Sequence, residues 1–246
     1  MGGSRILRAR VPLALASDSP RRRALLRALR LPARFVSPRS GAEPSPEPGE
    51  LPEPFVLRAA AAKAASRLPS ADPSGRLPPD TLVIAADTIV VIQGRILGKP
   101  ADPAEALEFL RLLAGRTHEV LTACVLEGTA GHRRFVARTR VTLWKCPDSL
   151  LAAYASGNEP LDKAGAYAAQ GQGAFLIKRV QGSWSNVVGL PVAELLQALL
   201  RLGAVTEEKA LPPFPPGGGE KGGSAPRAEE GAAKRSAHGF RPAAAC

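Results

Sequence analysis

The chain has few residues of the kinds that build disulfide frameworks and zinc sites. Its 246 residues include three cysteines and three histidines. These residues are scattered along the chain, at His118, Cys124, His132, Cys146, His238 and Cys246. Because no Cys-x-x-Cys pair and no ligand-like histidine spacing occurs, a disulfide-rich fold and a structural zinc site are both disfavoured. Sparse cysteine is typical of a reducing compartment, and we expect a cytoplasmic protein.

Long apolar runs are also missing. No stretch of eighteen or more apolar residues occurs, and Arg5, Arg8 and Arg10 interrupt the apolar residues near the N-terminus. A membrane-spanning helix needs about 20 predominantly apolar residues, and a signal peptide needs a continuous apolar core. We therefore expect neither, and no membrane partner. With 45% hydrophobic residues, the chain can still bury one substantial core, as a single α/β domain does.

Acidic residues are scarce in the N-terminal part of the chain. Residues 1–40 contain ten arginines and a single acid, Asp18, in a chain of net charge +11. The arginines are not interleaved with aromatic residues, which make up only 4% of the chain. A small polyphosphate ligand explains this charge at least as well as nucleic acid, although an Arg-rich composition alone also produces it. We expect a small-molecule partner rather than nucleic acid.

Two of these arginines lie at the start of the helix in a strand–turn–helix pattern. Leu13–Ala16 predicts a buried strand, residues 17–19 a turn and helix cap, and Pro20 the first residue of a helix. The first N–H groups of a helix lack intrahelical partners and attract anions. With Arg21 and Arg22, this helix start predicts a phosphate site. An ordinary capped helix with solvated arginines is the alternative from this stretch alone.

An acidic residue follows the longest apolar strand pattern. Residues 81–86 predict a central strand that ends in Asp87-Thr88. A carboxylate at the end of a buried strand is costly unless it has a cation or hydrogen-bond partner. The following residues predict a hairpin that turns near Gln93-Gly94 and returns Lys99 toward Asp87. Since open α/β sheets bind ligands just outside their strand ends, Asp87 is a candidate site residue.

The remaining pattern alternates between helices and strands, which predicts an α/β fold with a mixed twisted sheet and flanking helices. Helices are expected near 20–31, 55–68, 103–113, 148–156 and 192–202, and further strands near 34–37, 119–127, 134–145 and 174–180. Phe175 and Trp184 are expected in the core. We divide the chain into an N-terminal extension (1–10), a domain (11–205) and a disordered, Pro- and Gly-rich tail (206–246).

Eight motifs follow one another along the domain. They are Ala16–Arg22, Lys63, Ala86–Thr88, Gly98–Pro100, Gly115–His118, Asp162–Tyr167, Gln170-Gly171 and Asn186–Pro191. Their joint order closely resembles the Maf family of nucleoside triphosphate pyrophosphatases, over about residues 11–205. The resemblance implies hydrolysis between the α- and β-phosphates of a nucleotide, with Mg²⁺ or Mn²⁺ as cofactor. It implies a Maf/ITPase-like fold of two lobes around a central cleft, and it leaves a homodimer open.

The resemblance extends to one branch of the family. Ala86–Thr88 combined with Gln170 is similar to the branch that acts on dTTP and UTP, and modified pyrimidine nucleotides are further candidate substrates. The branch that acts on 7-methyl-GTP usually carries Gln after the Asp and lacks the later Gln. That activity is the alternative, together with a non-catalytic regulator of cell division that binds nucleotide or nucleic acid.

The resemblance also implies roles for individual residues. Asp87 matches the family's proton acceptor and, with Glu43, would hold the metal. The positions that set base preference match Arg21, Thr88 and Gln170. The phosphate-side positions match Ser17, Arg22, Lys63, Lys99 and Lys163. Relatives usually have Asp-Glu where this chain has Ala42-Glu43, and we interpret His118 as a residue that holds a loop by hydrogen bonds.

Overall fold

The computed structural model of the protein describes residues 6–39, 41, 44–68 and 77–208. The predicted metal ligand Glu43 lies outside the described residues, and so does the predicted tail from residue 209 onward. In the described part of the chain, no helix combines the length and apolar character needed to cross a bilayer.

The described residues contain nine strands and six α-helices. The strands are β1 (Leu7–Ala9), β2 (Leu13–Ala16), β3 (Ala33–Val36), β4 (Leu82–Ile92), β5 (Arg95–Leu97), β6 (Thr117–Gly128), β7 (Gly131–Leu143), β8 (Ile177–Gln181) and β9 (Val205–Glu207). The helices are α1 (Pro20–Ala28), α2 (Pro52–Ala65), α3 (Pro103–Leu113), α4 (Asp148–Ala155), α5 (Trp184–Val188) and α6 (Val192–Arg201). Short 3₁₀ turns cover Pro160–Asp162, Ala164–Ala166 and Gln172–Leu176.

Seven of the strands form one mixed sheet. The strand order is β3-β2-β4-β6-β7-β8, and β5 pairs with the second half of β4. β2 runs parallel to β3 and β4, whereas the other neighbours in this sheet are antiparallel. This arrangement confirms the predicted α/β fold with a mixed sheet and flanking helices. Residues 7–9, which we placed in the N-terminal extension, form β1 and pair antiparallel with β9. Thr206 and Glu207 of β9 belong to the tail that we predicted to be disordered, and that prediction was wrong for these two residues.

Strand β4 runs further than the sequence pattern predicted. We expected a strand to end at Asp87-Thr88, but β4 continues through both residues, and its antiparallel ladder with β6 spans residues 83–91. On the other edge of β4, β2 pairs with residues 82–85 and β5 with residues 90–92. The polar pair therefore lies mid-strand, in the interval between two neighbouring strands. The interval leaves one main-chain edge of β4 without a strand partner at the polar pair.

The buried apolar residues form two lobes. In the first lobe, α1 and α6 cover one face of β2 and β4, while α2 covers the opposite face with Val56 and Ala60. In the second lobe, α3 and α4 pack Leu110 and Leu151 against the second half of β4 and against β7. Since β4 contributes to both lobes, the interval at Asp87-Thr88 lies between them.

Two aromatic residues depart from the predicted core. The side chains of Phe175 and Trp184 are exposed, at 39% and 45% relative accessibility. Phe175 lies in a 3₁₀ turn rather than in the predicted strand, which begins only at Ile177. Trp184 is the first residue of the short helix α5, directly after its cap Ser183. The apolar pattern was wrong here because both residues lie in short helical segments and point their side chains outward.

Candidate active site

A cavity of about 770 Å³ opens between the two lobes. Its volume falls in the range of small-molecule sites, roughly 300–1,000 Å³. The cavity is lined by nine of the sequence-predicted site residues: Ser17, Arg21, Arg22, Lys63, Asp87, Thr88, Lys99, Lys163 and Gln170. The remaining predicted residue, Glu43, lies outside the described residues.

Lys63 and Asp87 form a mostly buried ion pair on one side of the cavity. Lys63 Nζ donates to Asp87 Oδ1 at 2.6 Å, and the two side chains are 7% and 17% exposed. Lys63 comes from the last turn of α2, which packs on the sheet face toward which Asp87 points. The pair explains how an acid is tolerated inside β4, because a buried carboxylate needs a cation or hydrogen-bond donor.

Thr88 points to the opposite face of β4, as strand alternation requires. Its Oγ1 accepts a hydrogen bond from Arg22 Nη2 at 2.8 Å and lies 2.9 Å from Thr122 Oγ1 on the neighbouring strand. Arg22 Nε donates to the main-chain oxygen of Gly189 at 2.8 Å. The guanidinium group therefore connects the start of α1 with β4 and the end of α5.

The network around Thr88 continues through Asn186, a fully buried residue that begins the Asn186–Pro191 motif and to which the sequence assigned no role. Asn186 Nδ2 donates to the main-chain oxygen of Val120 at 3.1 Å and to Thr139 Oγ1 at 2.9 Å. Thr122 Oγ1 donates to the main-chain oxygen of Asn186 at 3.2 Å. These bonds hold α5 against the sheet and thereby fix the carbonyl group that Arg22 contacts.

The N-terminus of α1 faces the same cavity. Ser19 caps the helix by accepting from the Arg22 main-chain N–H at 3.4 Å, and the Ser17 hydroxyl accepts from the Ser19 N–H at 3.2 Å. Arg21 Nη1 reaches Asp162 Oδ2 in the second lobe at 3.4 Å. The helix start thus presents its positive end and two guanidinium groups to the cleft, an arrangement suited to phosphate.

Two lysines face the cleft from the second lobe. Lys163 Nζ pairs with the Asp162 carboxylate and donates to the main-chain oxygen of Glu159 at 3.3 Å. Lys99 follows β5 and is exposed, and it makes no hydrogen bond or ion pair with the described residues. Cationic groups therefore lie on both sides of the cavity.

Glu159 does not line the cavity, but its carboxylate contacts the turn that follows Gln170, a contact that the sequence did not predict. Burial alone would raise the pKa of its carboxyl group, but hydrogen bonds from the Gly173 N–H, the Tyr154 hydroxyl and the Gln172 N–H hold that pKa below its ordinary value. Burial, and next the adjacent Glu159, raise the pKa of the Tyr154 hydroxyl. At neutral pH, Glu159 is therefore an ionised acceptor and Tyr154 a protonated donor.

His118 lies in β6 and is 2% exposed. Its Nε2 and the Tyr167 hydroxyl are 2.8 Å apart and share a hydrogen bond. Burial lowers the pKa of His118 to about 4, so the ring is neutral near pH 7. The contact anchors the segment that follows Lys163, in agreement with our interpretation of His118 as a residue that holds a loop.

The described residues contain no group of three or more His, Cys, Asp or Glu side chains that could hold a metal ion by themselves. Asp87 nevertheless supplies a carboxylate inside a cavity rich in phosphate-binding groups. Mg²⁺ is commonly held by one or two carboxylates together with substrate phosphates and water. The donor set therefore fits a Mg²⁺ ion that binds together with a nucleotide.

The sequence is similar to one protein family and to several named proteins. The profile of a family described as Maf-like protein matches residues 12–202. A protein of Nitratidesulfovibrio vulgaris named dTTP/UTP pyrophosphatase is 53% identical over 195 residues, which cover 79% of this chain and 89% of the relative. A protein of the same name from Oleidesulfovibrio alaskensis is 46% identical over 202 residues, covering 81% of this chain and 89% of the relative. A third protein of this name, from Myxococcus xanthus, is 45% identical over 194 residues, which cover 78% of this chain and 92% of the relative. On this evidence, the chain belongs to the Maf-like protein family.

Proposed function

We propose that the protein is a nucleoside triphosphate pyrophosphatase that hydrolyses dTTP and UTP to the monophosphate and pyrophosphate. The observation that carries the proposal is the cavity in which the Lys63–Asp87 pair and the arginine-bearing start of α1 occur together. The names of the relatives, which are dTTP/UTP pyrophosphatases, support the choice of substrate.

The first step is binding of the triphosphate by the cations of the cleft. The positive end of α1 and the side chains of Arg21, Lys99 and Lys163 neutralise the charge on the phosphate oxygens. Arg21 pairs with Asp162, whose side chain is 60% exposed. Because exposed ion pairs contribute only about 0–1 kcal/mol, a phosphate group can replace Asp162 at little cost.

In the hydrolytic step, a water molecule attacks the α-phosphorus, and the bond from this phosphorus to the α–β bridging oxygen breaks. Pyrophosphate leaves with the bond electrons, and the Asp87 carboxylate takes the proton of the attacking water. Lys63 holds Asp87 in place through Oδ1. A divalent ion, which Asp87 would hold, supplies charge neutralisation and a more acidic water when bound.

Base preference depends on the rim of the cavity. The Gln170 amide offers one donor and one acceptor group, which match the alternating carbonyl and N–H groups of uracil and thymine. Thr88 contributes through Arg22, since its hydroxyl already accepts from that guanidinium group. We place the reaction in the cytoplasm, a location supported by the free thiols of Cys124 and Cys146.

The test is a pyrophosphate-release assay with Mg²⁺ and the substrates dTTP, UTP, GTP and 7-methyl-GTP. We expect dTTP and UTP to be cleaved ahead of both guanine nucleotides, and a metal chelator to abolish release. A panel led by 7-methyl-GTP would overturn the substrate assignment. Absence of pyrophosphate from every nucleotide would overturn the enzymatic assignment.

A further inference from the structure

The side chain of Gln170 has no hydrogen-bond partner among the described residues, and it is exposed at the cavity. Its position is therefore determined by the main chain on either side. Ala168 and Ala169 precede it and are buried, at 1% and 9% exposure. Gly171 follows it with a φ of +104°, a backbone conformation that residues with a side chain rarely adopt.

Two hydrogen-bonded side chains, Tyr154 and Glu159, hold both flanks of Gln170, and we call them the Tyr154–Glu159 unit. On the N-terminal flank, the Ala168 N–H donates to the Tyr154 hydroxyl at 3.2 Å. On the C-terminal flank, the N–H groups of Gln172 and Gly173 donate to the Glu159 carboxylate at 3.2 and 2.8 Å. The Tyr154 hydroxyl donates in turn to Glu159 Oε2 at 2.8 Å. Glu159 and Tyr154 thus join the two flanks, with Gln170 between them.

Glycine is required where this unit touches the main chain. A Cβ atom at Gly171 would overlap Glu159 Oε1, and a Cβ atom at Gly173 would overlap the Tyr154 hydroxyl. The carboxylate and the hydroxyl therefore lie in direct contact with the main chain on the C-terminal flank of Gln170. This close approach leaves the 168–173 segment little freedom to shift.

We infer that Glu159, supported by Tyr154, is a positioning residue that sets base preference by fixing Gln170 at the cavity. The inference rests on the proposed function and names a residue that acts through Gln170 rather than on the substrate. It predicts that weakening the unit reduces discrimination between pyrimidine bases while the phosphate-side chemistry stays intact.

The main test is the variant Glu159→Gln in the full chain, assayed with UTP and CTP, which differ at the edge that the Gln170 amide would read. An amide nitrogen cannot accept from a main-chain N–H, so at least one of the bonds that hold the loop is lost. We expect KM for UTP to rise about tenfold with kcat changed much less, and the preference for UTP over CTP to fall by a similar factor.

A double-mutant cycle separates positioning from direct contact. If Glu159 acts through Gln170, then Glu159→Gln has little further effect on the UTP preference in a Gln170→Ala background. Additive losses in the two variants would overturn the inference. So would an unchanged preference in folded Glu159→Gln, or equal use of UTP and CTP by the unmodified enzyme together with equal binding of UMP and CMP.

Two controls keep the result interpretable. Glu108→Gln removes an exposed carboxylate of α3 that does not line the cavity, and it should leave KM for UTP unchanged. Tyr154→Phe keeps the ring but removes the hydroxyl, and it should shift the preference in the same direction even if Glu159→Gln fails to fold. Unchanged preference in folded Tyr154→Phe would then overturn the inference.

Binding of UMP and CMP, measured by titration calorimetry, gives the preference for uracil over cytosine without turnover. Lack of pyrophosphate release by the unmodified protein would refute the proposed function. Equal weakening of UMP and CMP binding in Glu159→Gln would refute the positioning role. The two failures are therefore distinguishable.

Discussion

Lys63 Nζ lies 2.6 Å from Asp87 Oδ1, and this contact joins α2 to the middle of β4 at the cavity. The two side chains are far less exposed than the Arg21 and Asp162 side chains across the cleft. The structure thus contains a mostly buried pair at the carboxylate that we propose as proton acceptor, and an exposed pair whose Arg21 we propose to bind phosphate.

Replacing Asp87 by Asn should remove the proton acceptor and leave the shape of the cavity unchanged. We expect the rate of pyrophosphate release from dTTP to fall at least about 100-fold, the lower range for loss of a general base. The measurement is kcat by pyrophosphate detection, together with binding of dTMP to verify an intact cleft. Activity comparable to the unmodified protein would contradict the role of Asp87.

Replacing Lys63 by Met should leave Asp87 beside an apolar side chain. Because breaking a buried ion pair leaves an uncompensated charge, we expect the free energy of unfolding to fall by about 3 kcal/mol. The double variant Lys63→Met, Asp87→Asn should regain most of this stability without regaining activity. Urea unfolding curves provide the measurement, and equal destabilisation of single and double variants would contradict the pairing.

Replacing Arg22 by Lys should break the link between α1, β4 and α5. The ammonium group of lysine cannot reproduce the planar guanidinium group, whose Nε donates to Gly189 while its Nη2 donates to Thr88. We expect a loss of about 1–2 kcal/mol in unfolding free energy and a raised KM for dTTP. The exposed Arg133→Lys, in β7, is the matched control, and an equal effect of both substitutions would count against a specific role for Arg22.

His118 should contribute a measurable pH dependence of stability. Its pKa is about 4 in the folded protein against an ordinary 6.5, so the unfolded chain binds the proton more readily. Its contribution is present above about pH 6.5 and is lost as the pH falls toward 4, amounting to about 2 kcal/mol between pH 7 and 5.

The comparison for this effect is His118→Gln, which retains a hydrogen-bonding group near Tyr167 but does not titrate. Urea unfolding of both proteins at pH 7 and 5 isolates the histidine contribution from that of the carboxylates. Parallel loss of stability in the two proteins would show that burial of His118 does not perturb its titration.

The sequence predicted the main parts of the site because those parts have local signals. The cap at Ser19 and the helix start at Pro20 depend on neighbouring residues, and the structure contains both. The extent of β4 could not be read from the apolar pattern, because Asp87 and Thr88 interrupt the pattern while the pairing with β6 continues.

The hydrogen-bonded networks had no local signal. Thr88 shares a hydrogen bond with Thr122 on the adjacent strand β6. Arg22 donates to the main-chain oxygen of Gly189, which lies far away along the chain. Glu159 looked like one polar residue in a polar, Gly-rich stretch, and only the folded chain shows that it contacts the main chain beyond Gln170. Contacts of this kind depend on the tertiary arrangement, which composition and periodicity do not encode.

The continuity of β4 limits how the enzyme can move. A hinge at Asp87 would have to bend a strand whose ladder with β6 extends from Val83 to Val91, and it would break hydrogen bonds on both sides of Asp87. The floor of the cleft is therefore stiff. Under our proposal, adaptation to different nucleotides falls to the flanking turns and to the long side chains of Arg21, Lys99 and Lys163, and release of the product leaves the position of Asp87 unchanged.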